Sequence, residues 1–139
     1  MNGKRNILSV PVLLVFCFAL CAGAAEMKDI ELPAPKMEGG VPLMEALMAR
    51  HTSRSFSQEP LPRQVLADLL WAACGINRPG SGKRTAPSAR NWQEIDVYVV
   101  LEEGAYRYDP RANMLRGVAS GDLRKVTGTQ RFVAKAPLN

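Results

Sequence analysis

Two short stretches of the chain hold side chains able to do chemistry. Arg50-His51-Thr52-Ser53-Arg54 packs two guanidinium groups and two hydroxyls into five residues. An arginine presents a planar fork that meets a phosphate with two hydrogen bonds at once, and hydroxyls add short donors to the remaining oxygens. A terminal phosphate carries nearly two charges, so two arginines are enough to neutralise it. The plainer alternative is a helix end with cations near its negative pole, worth only about 0.3–1 kcal/mol. Composition alone leaves both open.

The second stretch is Pro87-Ser88-Ala89-Arg90-Asn91, leading through Trp92 and Gln93 toward Ile95. Small residues at Ala86, Ser88 and Ala89 let backbone come close to a flat ligand. The Asn91 amide offers a donor and an acceptor, which suits the alternating edge of a pyrimidine-like ring. An ordinary surface turn, with Asn91 bonding its own backbone, is the alternative. Arg78, Lys83, Arg84 and Arg90 lie in the same region with no acid among them. That run fits an anionic ligand or a solvated basic loop. Nucleic acid is disfavoured, because Trp92 is the only aromatic residue interleaved with the cations. His51 is the only histidine and no Cys/His spacing suggests a metal, so neither a catalytic residue nor a metal ligand is assigned.

These stretches need elements to hold them. Leu43, Ala46, Leu47 and Arg50 recur at helical spacing and predict a short helix ending near Arg50–His51. A second helix is predicted over 62–74, with Pro62 at its start and Gly75 as its stop. Val65, Leu66, Leu69, Leu70 and Ala73 are expected to share its apolar face. Residues 77–86 read as a Gly/Pro/Ser/basic loop. Residues 95–101 are rich in β-branched side chains and predict a strand. Residues 105–108 and 114–118 predict two more, joined by the turn Asp109–Asn113. Short helical segments are expected at 122–126 and 130–135. The mix argues α+β or α/β. One hairpin and one strand make a poor sheet, so the chain is expected to be incomplete or obligately paired.

Within the 139 residues, the first 25 read separately. A basic start, an almost wholly apolar run from Ile7 to Leu20, and Cys21-Ala22-Gly23-Ala24-Ala25 have the layout of a secretory signal peptide. The apolar run is too short for a spanning helix. Export to the periplasm or the exterior is expected, with no stable membrane span after cleavage. Removing residues 1–25 takes away Lys4 and Arg5 and no acid, so the formal charge falls from +5 to +3. Cys17 and Cys21 go too, leaving Cys74 without a disulfide partner and most simply a small core residue. Residues 26–41 are rich in Pro, Glu and Lys and read as a linker, or as an extended arm wrapped onto something else.

The order of these features resembles the FMN-dependent nitroreductase family. The likeness runs through Arg50-His51-Thr52-x-Arg54-x-Phe56, then Leu70-Trp71-Ala72-Ala73-Cys74-Gly75, then Pro87-Ser88-x-x-Asn91-x-Gln93 and a strand. The run from Leu69 to Asn77, with Lys83-Arg84-Thr85-Ala86-Pro87-Ser88, is most similar to the branch holding the SagB-type azoline dehydrogenases. The resemblance implies a nitroreductase-like three-layer α+β sandwich, a homodimer, and FMN at the subunit interface. It implies that Arg50, His51, Thr52 and Arg54 hold the FMN phosphate and ribityl region. Pro87, Ser88, Ala89 and Asn91 would line the isoalloxazine from the partner subunit. The implied activity is electron transfer through flavin between NAD(P)H and an organic acceptor, or oxidation of an azoline-like ring. Family members are longer, so residues 42–139 are expected to be the N-terminal part of such a domain. A different class of reading is a non-catalytic exported module that binds an anionic ligand through its basic loop.

Overall fold

The computed structural model describes residues 27–57 and 59–137. The expected signal segment lies outside these residues. A four-stranded antiparallel sheet forms the centre, in the order β1-β6-β5-β4: β1 Ile30–Glu31, β4 Tyr98–Val100, β5 Gly104–Asp109 and β6 Met114–Ser120. Two helices precede most of it, α1 Leu43–Ala49 and α2 Arg63–Cys74. Between α2 and β4 lies a two-stranded ribbon, β2 Ile76–Arg78 and β3 Lys83–Arg84. Single 3-10 turns at Arg124–Val126 and Val133–Lys135 follow the sheet.

Strict alternation builds the core. Gly104, Tyr106 and Tyr108 on β5 point to the covered face, while Arg107 points away. Val99 stands opposite Tyr106, and Leu115 opposite Tyr108, so one face gathers the apolar groups. Leu66, Ala67 and Leu70 of α2 pack onto it, and Leu32 completes the cluster. Burial raises the phenol pKa of both tyrosines, so they sit in the core as neutral rings. The other face carries the register Tyr98–Arg107–Arg116. Arg107 pairs there with Asp96 at 3.5 Å, and Arg116 with Asp29 and Asp109 at 2.8 and 3.1 Å. The register slips between Ala105 and Tyr106, leaving Val118 without an opposite residue and exposed.

Four expectations need correction. The sheet has a fourth strand because the Pro-rich segment lies across the chain's own fold. Asp29 accepts the Gly117 N–H at 2.9 Å, Asn113 Nδ2 donates to Leu32 O and Pro33 O, and the Lys36 N–H meets Asp68 at 2.8 Å. Second, the buried face of α2 is Leu66, Ala67, Leu70 and Cys74, and Val65 and Leu69 are half exposed. The arm turns the helix this way: Gln64 donates to both Ala34 O and Asp68, holding the polar flank of the stripe at the rim of the sheet. Third, the loop expected over 77–86 is mostly the β2–β3 ribbon with a 3-10 turn at Pro79–Ser81. Fourth, the strand expected over 95–101 is shortened to Tyr98–Val100, with Val97 O and Leu101 still bonded to Tyr108 and Gly104 at its ends.

Helix α1 forms from strong helix formers, LMEALMA, with Glu45 in its first turn. It ends as expected at Arg50, where the backbone becomes extended. None of its residues is buried within this chain, and seven residues are too few for intrinsic propensity alone to hold a helix. Helix α2 stops at Gly75, though Gly75 has an ordinary extended φ of −71°. A side chain there would meet Trp71, including its carbonyl oxygen at 2.6 Å, so glycine is needed for close approach rather than for a left-handed turn.

Candidate functional site

The site residues fall into two groups placed by different elements. Arg50, His51, Thr52 and Arg54 leave α1 on an extended, exposed segment. His51 Nδ1 lies 3.1 Å from Ala49 O, and the Ser53 hydroxyl donates to Ser55 O at 3.0 Å. The far end of the segment is fixed by Phe56, whose ring lies 6.5 Å from that of Phe132 at 42°. Among the described residues no carboxylate pairs with Arg50 or Arg54. Both guanidinium groups are therefore open to an anion.

The second group is held far more firmly. The Thr85 N–H donates to Gly75 O at 2.8 Å and its hydroxyl to Trp71 O at 3.2 Å, tying the exit of β3 to the end of α2. The chain then turns through Pro87–Asn91 with Arg90, Asn91 and Gln93 all at positive φ (51°, 59° and 54°). Non-glycine residues in this region are uncommon and cost energy, so surrounding contacts must hold them. Two residues do so. Ser88 Oγ accepts the Gln93 N–H at 2.7 Å and donates to Glu94 at 3.0 Å. Gln93 Nε2 donates to Gly82 O at 2.8 Å and to Asn91 Oδ1 at 3.0 Å, fastening the turn to the ribbon. Arg90 lies over the Trp92 ring, 5.7 Å from its centre.

Turn and ribbon together wall a cleft of about 450 Å³ lined by Arg78, Lys83, Arg84, Ala86, Pro87, Ser88, Arg90 and Asn91. Arg84 turns its guanidinium inward, donating from Nη1 to Cys74 Sγ at 3.2 Å and to Ile95 O at 3.1 Å. Its buried Nε has no partner. Of the site residues proposed from sequence, the cleft gathers Pro87, Ser88 and Asn91, and not Arg50, His51, Thr52, Arg54 or Ala89. A second cavity of about 740 Å³ lies between Leu61, Leu66, Glu102, Glu103 and Arg124. It contains none of the proposed residues, and its Arg124 is already bound to Asp122 at 2.8 Å.

Sequence reasoning missed Gln93 as the clamp of the turn and Thr85 as its anchor. Their signal was weak, since both are short-range polar residues common in any loop. The cationic run was visible, but not that a ribbon folds it around a cleft.

The pattern of the nitroreductase family matches residues 47–138. The chain belongs to the nitroreductase family. Both candidate stretches fall inside the matched residues. A protein of Methanocaldococcus jannaschii named "Putative nitroreductase MJ1384" is 28% identical over 119 residues, covering 78% of this chain and 59% of that protein. A crystal structure of a protein of the same description from Ralstonia eutropha JMP134 is 48% identical. It superposes with a TM-score of 0.73 over 84% of this chain and 56% of its own. The chain thus spans less than two thirds of the length of either relative. The superposition makes the fold nitroreductase-like α+β.

Nitroreductase-family proteins are in general flavin oxidoreductases, and FMN is their typical cofactor. The donor set here fits that group. Unpaired guanidinium groups and the Thr52 hydroxyl suit its phosphate ester, and the Asn91 amide suits its heterocycle. Neither of these two cavities joins the two stretches.

Proposed function

We propose that this nitroreductase-family chain serves an FMN-dependent oxidoreductase that moves electrons between NAD(P)H and an organic acceptor. A nitroaromatic or quinone, or an azoline-like ring as in the SagB-type dehydrogenases, is the class of substrate. The observation that carries the reading is the Pro87–Asn91 turn, whose Arg90 and Asn91 are held at positive φ within the family match. A backbone strained in this way and clamped by Ser88 and Gln93 is preorganised to present its edge to a flat ligand.

The bound flavin supplies the two-electron redox chemistry. The chain's residues bind and orient. Arg50 and Arg54 neutralise the phosphate, while His51 and Thr52 donate near the ribityl chain. Pro87, Ser88 and Ala89 bring backbone against the ring face, and Asn91 meets its polar edge. Neither cavity described above holds both groups, and we assign the groups to opposite subunits of a homodimer, each turn completing its partner's site. The chain acts after export, at the periplasmic or outer side of the membrane.

Titration of FMN with the protein tests this directly. Quenching of flavin fluorescence and a perturbed visible spectrum are expected. Free-flavin fluorescence that stays unchanged at saturating protein would overturn the proposal. The second reading, a non-catalytic anion-binding module, is favoured by the four cations of the cleft. It would be marked by a colourless protein that binds phosphorylated or sulfated ligands with strong salt dependence.

A further inference from the structure

The cleft between the β2–β3 ribbon and the Pro87–Asn91 turn holds more positive charge than the flavin reading uses. Arg78, Lys83, Arg84 and Arg90 all line it, and no acidic residue does. None of the four joins an ion pair among the described residues. Glu94, the carboxylate next to the turn in sequence, accepts the Ser88 hydroxyl and does not line the cleft. The cations are instead placed by neutral groups. Arg78 donates to Asn77 Oδ1 and Arg84 O, Arg84 to Cys74 Sγ and Ile95 O, and Arg90 lies over Trp92. Protein that gathers like charges around one concavity without counter-charge is built for an anion.

We propose that this cleft is a pyrophosphate site for the electron-donating dinucleotide, distinct from the FMN phosphate region at residues 50–54. The inference rests on the flavin reading for its ligand but not for its geometry. A single carboxylate would leave most of the charge unmet, whereas a dinucleotide's bridging pyrophosphate brings two negative charges and several acceptor oxygens for arginine forks. Ser88 and Asn91 belong to both the cleft wall and the turn assigned to the flavin ring. A dinucleotide anchored in the cleft is therefore held beside the flavin edge. The cleft volume is within the range of small-molecule sites.

The test is calorimetric titration of the full chain with inorganic pyrophosphate, with and without saturating FMN, against acetate at equal ionic strength. Binding is expected in both states, weakening as salt rises. Lys83 is exposed and its side chain makes no hydrogen bond or ion pair among the described residues, so Lys83→Glu is expected to fold, as circular dichroism would show. It should weaken pyrophosphate by about tenfold or more. Lys83→Arg should bind like the parent, and FMN affinity should be unchanged in both variants. The proposal is overturned if pyrophosphate binds no better than acetate, or if Lys83→Glu binds as the parent does. It is equally overturned if FMN displaces pyrophosphate, because the cleft would then hold the flavin's own phosphate. Pyrophosphate binding with no FMN binding supports the anion site and rejects the flavin reading.

Discussion

Ser88 Oγ lies 2.7 Å from the backbone nitrogen of Gln93 and closes the turn between them. The same hydroxyl donates its proton to Glu94. Ser88 therefore has no proton left for a ligand. Its contribution to a flavin site is the backbone conformation it enforces through three left-handed residues.

Replacing Ser88 by alanine leaves the part-buried Gln93 N–H without its acceptor. A loss of about 1–3 kcal/mol in stability is expected, read by urea denaturation. FMN affinity should fall with it, and Ser88→Thr, which keeps the acceptor, should recover most of both. A Ser88→Ala protein with unchanged stability would show that the turn holds its shape by other means.

Arg50 makes the opposite case, since it is exposed and unpaired. Arg50→Ala should leave stability within about 0.5 kcal/mol. A charged hydrogen bond contributes roughly 1.5–3 kcal/mol, so FMN affinity should drop about tenfold or more. Fluorescence titration separates the two effects. Equal flavin affinity in both proteins would remove Arg50 from the phosphate site.

Gly75 tests the close approach at the end of α2. A methyl group there would press on Trp71, whose carbonyl also receives the Gly75 N–H at 2.7 Å and the Thr85 hydroxyl. Gly75→Ala is expected to cost about 1–3 kcal/mol through overpacking. If the cause were instead a need for positive φ, Gly75→Asn would be better tolerated than Gly75→Ala. At the observed φ of −71° it should be worse, because it is larger.

Acid should loosen the segment after β6. The Arg124 side chain, helped by its own backbone N–H, holds the Asp122 carboxyl down to about 2 from 3.8. A folded pKa below the unfolded one gives stability that is complete above pH 3.8 and lost as pH falls toward 2. Asp29 is lowered in the same direction, chiefly by Arg116 and then by the Gly117 N–H. Both carboxyls are open to solvent, so the effect is small. Thermal melts of Asp122→Asn and the parent should differ by a constant amount from neutral pH down to about pH 5, then converge in stronger acid. A difference that grew on acidification would mean the sign is wrong.

Much of the fold was legible because it obeys simple periods. β5 reads GAYRYD and buries every second residue, and the Asp109–Asn113 turn is closed by Asp109 accepting the N–H groups of Arg111 and Ala112. Helix α2 was visible from its apolar content, but not which stripe it buries. Its two neighbouring apolar stripes are equivalent until Gln64 and Asp68 bind the arm. The ribbon and β1 were hidden because strands of two or three residues carry no alternation to read. A Pro-rich arm looks the same whether it is free or laid on a sheet edge.

The sequence by itself determined the chemical inventory: forked cations and hydroxyls at 50–54, a small-residue turn with an amide at 87–91, and the α+β mix that carries them. Residue type and spacing are local properties, and these depend on nothing else. Only the tertiary structure decided which of these groups meet. It drew Arg78 and Lys83 beside Arg90 and Asn91 around one cleft, left Arg50 and Arg54 outside it, and turned the Ser88 hydroxyl inward. Those outcomes depend on hydrogen bonds that join distant positions, such as Gln93 to Gly82 and Thr85 to Trp71, and such bonds exist only once the chain has folded.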